Sequence, residues 1–144
     1  MREGRTWGGL SIGDRVVVDS APIIFLLDDH PDLAPRFEGL FRACDAGELD
    51  VSLSVITVAE VLGGPLRVGD ESLARRYEKA LESFEIVPIS LDIAKTAARL
   101  RAACGLRLPD ALQAATALEC QAVALVTFDR DFSRLSGIKV LTGG

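Results

Sequence analysis

The sequence predicts an α/β protein: a three-layer α/β/α sandwich built around a mainly parallel sheet of four to five strands. Three observations carry that expectation. Val16, Val17 and Val18 are apolar without alternation, as in a strand buried on both faces. Strand-like and helix-like segments alternate along the chain, which implies right-handed crossovers with helices covering both faces of the sheet. The 144 residues, 49% of them hydrophobic, suffice for one domain with a substantial core, and no repeat or second-domain linker interrupts them.

Residues 15–18 read as the first strand. Residues 21–27 read as a helix that stops at the acidic, Pro31-containing stretch 28–32. Leu33, Phe37, Leu40, Phe41 and Cys44 recur at helical spacing, and Gly47 closes that helix. Residues 51–54 form a short second strand. The segment 55–64 reads as a helix that Ser54 caps and Gly63-Gly64 terminates. Leu73, Tyr77, Ala80, Leu81 and Phe84 mark an amphipathic helix over 71–84. Residues 85–89 are a third strand, and Pro88, lacking an N–H, places it at an edge or ends it. Helices follow over 91–104 and 109–121, the second Ala-rich enough to lie close to a sheet. Apolar strands at 122–129 and 138–142 complete the pattern. Residues 1–13, polar and Gly-rich, read as a flexible lead ahead of a single domain over 14–144.

Composition excludes several classes. No apolar run approaches the roughly 20 residues that span a bilayer, so no membrane role is expected. The first residues lack an apolar core like that of a signal peptide, which predicts a cytoplasmic protein. Cys44, Cys104 and Cys120 are odd in number and far apart, with no CxxC pair. They read as small core residues of a reducing compartment rather than zinc ligands. A formal net charge of −5 argues against a broad electrostatic grip on nucleic acid. It leaves room for a nucleic-acid enzyme whose acidic site holds metal ions, because bound cations reverse the local field.

Ligands of such sheets bind outside the carboxyl ends of the strands. Two strands end there in acid, at Asp19 and at Asp129. Each alone reads as a cap or turn residue. Glu60 sits among apolar and small neighbours in the second turn of its helix, beyond capping reach, where a charge is costly unless it meets a partner or water. Asp110 follows Pro109 at a helix start, a position the macrodipole favours by itself. The set says more than its members. Four carboxylates sharing one rim repel each other unless cations lie between them. An all-oxygen donor set points to Mg²⁺ or Mn²⁺ rather than zinc. Two such ions can activate a water and stabilise the leaving oxygen of an in-line phosphoryl displacement.

"VVVDSAPIIFLL", "SVITVAEVL", "LRLPDALQAATAL" and "ALVTFDRDF", in that order over about residues 15–142, resemble the PIN-domain nucleases, and more narrowly the VapC-type toxins of bacterial toxin–antitoxin pairs. The resemblance implies a Mg²⁺- or Mn²⁺-dependent endoribonuclease that cleaves RNA by metal-activated water. It further implies a homodimer restrained by a cognate antitoxin. The family's acidic quartet carries over onto Asp19, Glu60, Asp110 and Asp129 as catalytic and metal-binding residues, with Asp19 and Asp110 the main ligands. Asp131 matches an additional acid of some members. Ser20 and Thr127 occupy positions that often carry a small hydroxyl residue holding the carboxylates in place, while Ser54 and Thr57 support the Glu60 helix. The chain departs from the pattern at Phe128, where many members carry asparagine, and in a longer N-terminal lead.

Arg107 is the best-placed candidate for contact with RNA, with Arg67 and Arg101 behind it. The stretch Asp28-Asp29-His30 reads as a polar loop. His30 is the only histidine, so an imidazole base is not expected. The apolar run 23–27 offers more than one helix face and suggests a surface for self-association or for an antitoxin peptide. Rival readings fit less well. A dehalogenase-like phosphatase wants a second acid two residues after Asp19, where Ala21 stands. A receiver domain wants an acid after strand three, which ends without one. A catalytically silent PIN-like binding module, or a nuclease outside toxin–antitoxin systems, remains as the alternative.

Overall fold

The computed structural model describes residues 4–144. Five strands, β1 (Arg15–Val18), β2 (Asp50–Ser54), β3 (Glu85–Val87), β4 (Ala124–Val126) and β5 (Lys139–Leu141), form one all-parallel sheet in the order β3-β2-β1-β4-β5. Six helices connect them: α1 (Ser20–Leu27), α2 (Ala34–Asp45), α3 (Val55–Arg67), α4 (Glu71–Leu81), α5 (Leu91–Cys104) and α6 (Leu108–Glu119). The chain builds outward from β1 through β2 to β3, then crosses back to place β4 on the other flank of β1. The connections after β1 and β4 therefore diverge, and a crevice opens at their carboxyl ends, the topological switch point where α/β sheets take ligands.

Central β1 is buried on both faces, which explains its unbroken valines. Val16 and Val18 join one core with Ile23, Phe37, Leu40 and Val61 from α1, α2 and α3. Val17 points the other way, into a core with Ile93, Ala97, Ala111, Ala114 and Phe132. These two cores are the interfaces of a three-layer sandwich, as the alternation of segments predicts. Alanines at 111, 114, 115 and 117, all fully buried, let α6 lie against the sheet. Pro88 follows the last residue of β3, the edge strand.

Three local expectations change. Helix α3 does not stop at Gly63-Gly64 but runs through both glycines and Pro65 to Arg67. Neither glycine adopts a left-handed conformation; Gly69 does, at φ +74°, and turns the chain into α4. Secondly, the apolar run 23–27 offers less free surface than expected: Ile23 is buried, and Ile24, Phe25, Leu26 and Leu27 pack half-buried against the core. Thirdly, the described part of the N-terminal lead, from residue 4 on, packs on the domain through Trp7 and Leu10, while residues 1–3 of the expected flexible lead lie outside the described residues. Trp7 stacks beside Phe37 with ring centroids 5.8 Å apart, and its indole N–H donates to the Arg36 carbonyl at 2.9 Å. Leu10 joins the first core at 1% exposure. The three cysteines are half-buried and free.

Leu10→Ala should lower the unfolding free energy by about 2–4 kcal/mol, the usual cost of emptying a core position. Ile12→Ala, at a position 54% exposed, should change it by less than about 0.5 kcal/mol. Urea denaturation of the two variants measures the difference, and equal stabilities would mean the lead does not pack.

Candidate metal centre

The site starts from the residue that follows β1. The Asp19 N–H donates to the Val126 carbonyl at 2.7 Å, so Asp19 is fixed to β4 before the chain turns into α1. Its side chain caps that helix: Oδ1 accepts from the Ser20 N–H at 2.8 Å, and Oδ2 accepts from the Thr127 hydroxyl, also at 2.8 Å. Thr127 is fully buried, and its Oγ1 in turn accepts from the Asp129 N–H at 3.0 Å. Asp129 then caps the short 3-10 turn of residues Arg130–Arg134, its Oδ1 accepting from the Asp131 N–H at 2.8 Å. One buried hydroxyl thus sets Asp19 and the start of the Asp129–Asp131 turn relative to each other.

On the other flank, the Ser20 hydroxyl lies 2.6 Å from Glu60 Oε1 and 3.0 Å from Thr57 Oγ1. A serine has one proton to give, and the short contact to the carboxylate takes it. Thr57 is one turn before Glu60 on α3. Glu60 reaches solvent while this bond orients it, so its charge is tolerated next to an apolar helix. Ser54 caps α3 through the Ile56 N–H.

Asp110 enters from the first turn of α6 and is 7% exposed. Arg107 Nε stands 3.3 Å from Asp110 Oδ2, on a side chain that is itself 75% exposed. Carboxylate oxygens of Asp110, Asp129 and Asp131 all come within 4.8 Å of one another. Asp19 and Glu60 stand beside this trio rather than in it. Asp131, which the sequence offers only as an additional acid, is a member of the trio, and Glu60 is not.

Charge and burial act together here. Burial is the main cause that pushes the Asp19 carboxyl up from its ordinary 3.8 to about 6; Thr127 and Ser20 oppose it, while Asp110 and Glu60 reinforce it. Burial likewise raises Asp110, against the pull of Arg107 and with the help of Asp129 and Asp131. These carboxyls resist sharing one region in ionised form without cations, and their donor atoms are all oxygen. The residues therefore fit a hard divalent cation such as Mg²⁺ or Mn²⁺.

Sequence reasoning missed Gln113. It lies one turn after Asp110 and is 1% exposed. Its Nε2 donates to Thr57 Oγ1 at 2.9 Å and approaches Ser20 Oγ at 3.3 Å, tying α6 to α1 and α3 beneath the acids. Its Oε1 is buried without a hydrogen-bond partner. The legible signal was an amide on the buried face of an otherwise alanine-rich helix. Phe128, the departure from the expected asparagine, points away into apolar packing, edge-on to Phe25 at 5.3 Å and under the Arg36 guanidinium. His30 serves the α1–α2 loop, its Nδ1 accepting from the Asp32 and Leu33 N–H groups. Arg67 and Arg101 are exposed and form no salt bridge among the described residues.

A sequence model of the PIN domain matches residues 16–138, and the chain belongs to that family. Among solved structures it is similar to a toxin–antitoxin complex from Klebsiella pneumoniae, at 30% identity over 90% of this chain and 98% of that one, with a TM-score of 0.71. It also shares its fold with VapBC2 from Rickettsia felis, solved bound to a DNA fragment from the promoter (20% identity, 88% and 96% of the two chains, TM-score 0.73). The same holds for Mycobacterium tuberculosis VapC20, described as a sarcin–ricin loop cleaving toxin (16% identity, 88% and 98%, TM-score 0.67). No curated protein sequence matches the chain. No helix of the described residues is long and apolar enough to cross a membrane.

A raised folded-state pKa means that the folded chain holds a proton at Asp19 which the unfolded chain has released. Between pH 3.8 and about 6, stability from this group therefore falls as pH rises. Asp19→Asn removes that loss, worth up to about 3 kcal/mol, but Asn accepts only one of the two hydrogen bonds. In EDTA the variant should be about 1–2 kcal/mol more stable than the parent at pH 7.5, with the advantage gone near pH 4. Denaturant titrations at both pH values measure it; an advantage independent of pH would refute the buried-charge account.

Proposed function

We propose that the chain is a metal-dependent endoribonuclease acting as the toxin of a type II toxin–antitoxin pair. The observation that carries the nuclease reading is the meeting of Asp110, Asp129 and Asp131 within 4.8 Å beside buried Asp19, at the carboxyl ends of β1 and β4. The toxin reading rests on the similarity to the Klebsiella toxin–antitoxin complex. Such pairing makes a cognate antitoxin and a second copy of this chain the expected partners.

Asp19, Asp110, Asp129 and Asp131 would hold the cations, with Glu60 at the rim completing or orienting the set. Divalent cations bound there would activate the attacking water and stabilise the leaving oxygen of the phosphodiester. The chain itself supplies the positioning. Both Asp19 oxygens are fixed by donors, yet each keeps a lone pair for a ligand. Ser20 aims the Glu60 carboxylate toward the crevice, and Gln113 braces Ser20 and Thr57 from below. Arg107 neutralises part of the Asp110 charge and, being exposed, is free to turn to a phosphate oxygen of the RNA. The sole histidine is engaged in the α1–α2 loop, so the residues of the crevice offer no imidazole to shuttle protons.

Cleavage of single-stranded RNA by the purified chain should need Mg²⁺ or Mn²⁺ and stop on adding EDTA. Asp19→Asn or Asp110→Asn should lower kcat/KM by about 1,000-fold, corresponding to several kcal/mol of transition-state stabilisation. A folded variant that cuts like the parent would overturn the assignment. Expression should arrest growth, and co-expression of the neighbouring gene's product should relieve it. Arrest that persists with Asp110→Asn would separate toxicity from this site.

A further inference from the structure

We propose that the pocket between the α5–α6 turn and the 3-10 turn of residues 130–134 is a phosphate subsite. It would hold the backbone phosphate next to the one being cut. The inference rests on the nuclease reading above and specifies how that site grips its substrate. The cavity has a volume of about 330 Å³, and its lining includes Arg107, Arg130, Ser133 and Arg134, together with Asp131 and Cys104. Three arginines around one cavity stand out in a chain of net charge −5. Among the described residues, Arg130 and Arg134 form no salt bridge and no side-chain hydrogen bond, so their donors are uncommitted.

The walls are built on fixed elements. Phe132, 1% exposed, anchors the 3-10 turn in the second core and leaves its neighbours at the surface. In a 3-10 turn residues three apart lie above one another, which stacks Arg130 and Ser133 on one side. The Cys104 thiol donates to the Arg134 carbonyl at 3.6 Å and ties this turn to the end of α5. Across the cavity, Gly105 takes a left-handed conformation at φ +69°, Leu106 is buried, and Arg107 emerges beside the acids.

Two residues join pocket and metal centre. Asp131 belongs both to the lining and to the acidic trio, and Arg107 bridges from the lining to Asp110. A phosphodiester chain with one phosphate at the acids would pass its neighbour into the cationic pocket. Cations at the acids would cancel the repulsion from Asp131, leaving the arginines in excess. Guanidinium forks and a serine hydroxyl suit phosphate oxygens, and they carry no base specificity.

The test uses Asp19→Asn as a non-cleaving background and measures binding of a fluorescent single-stranded RNA in Mg²⁺ across a range of salt. Adding Arg130→Ala and Arg134→Ala together should weaken binding about tenfold and flatten the salt slope by about 0.7 for the lost phosphate contact, with melting unchanged. Arg130→Lys with Arg134→Lys should restore the slope. Unchanged affinity and slope in the alanine variant would overturn the subsite, while the nuclease reading would stand if the unsubstituted chain still cuts RNA. Loss of antitoxin binding with intact RNA binding would also overturn it, assigning the arginines to a protein partner. An unsubstituted chain that neither binds nor cuts RNA would remove both readings.

Discussion

The site depends on one buried hydroxyl. Thr127 donates to Asp19 and accepts from the backbone of Asp129, so strands β1 and β4 cannot shift against each other without disturbing both acids. From Asp19 the chain passes at once to Ser20, whose side chain reaches Glu60, Thr57 and Gln113. Four separate stretches of sequence, around Asp19, Glu60, Gln113 and Asp129, are thereby held by contacts among a few polar side chains. Small residues suit this task, because a hydroxyl on a short stem has little freedom to lose when it is fixed.

The same arrangement sets an electrostatic problem. Asp19 and Asp110 are nearly buried and lie among other acids, so both carboxyls hold their protons more tightly than usual. A site stable in its own right would not be built this way; stored repulsion of this kind marks places where a ligand supplies the missing charge. Divalent cations answer the repulsion between the acids, but a polyanionic substrate still meets a chain of negative charge. The arginines at the α5–α6 turn and after β4 lie where that second problem arises. Acid at the centre and guanidinium at its edge then divide the work between chemistry and grip.

Much of this was legible in the sequence, for identifiable reasons. The triple valine of β1 reads directly as a strand covered on both sides, and the alanines of α6 as a helix pressed to the sheet. Asp19, Asp110 and Asp129 could be found because each sits at a structural boundary that the pattern locates. The ranking of Asp131 and Glu60 could not, since it depends on how a 3-10 turn folds back, a matter of a few ångströms. Gln113 escaped because an amide in a buried helix has no motif; its role exists only through Ser20 and Thr57, 93 and 56 residues away. Paired glycines at 63 and 64 suggest a stop for α3, whereas a left-handed residue is what makes one, and Gly69 supplies it. Trp7 and Leu10 read as part of a loose lead because their neighbours are polar or glycine; the contact of Trp7 with α2 and the burial of Leu10 in the first core are long-range features.

Side-chain oxygens from distant stretches meet at the carboxyl ends of β1 and β4, and their proposed role there is to hold divalent cations. Anomalous diffraction at the manganese edge, from crystals of the parent chain grown with MnCl₂, examines it most directly. A strong peak is expected among Asp19, Asp110, Asp129 and Asp131. Crystals that show these carboxylates ordered and ionised at neutral pH, with no anomalous peak between them at saturating Mn²⁺, would contradict it.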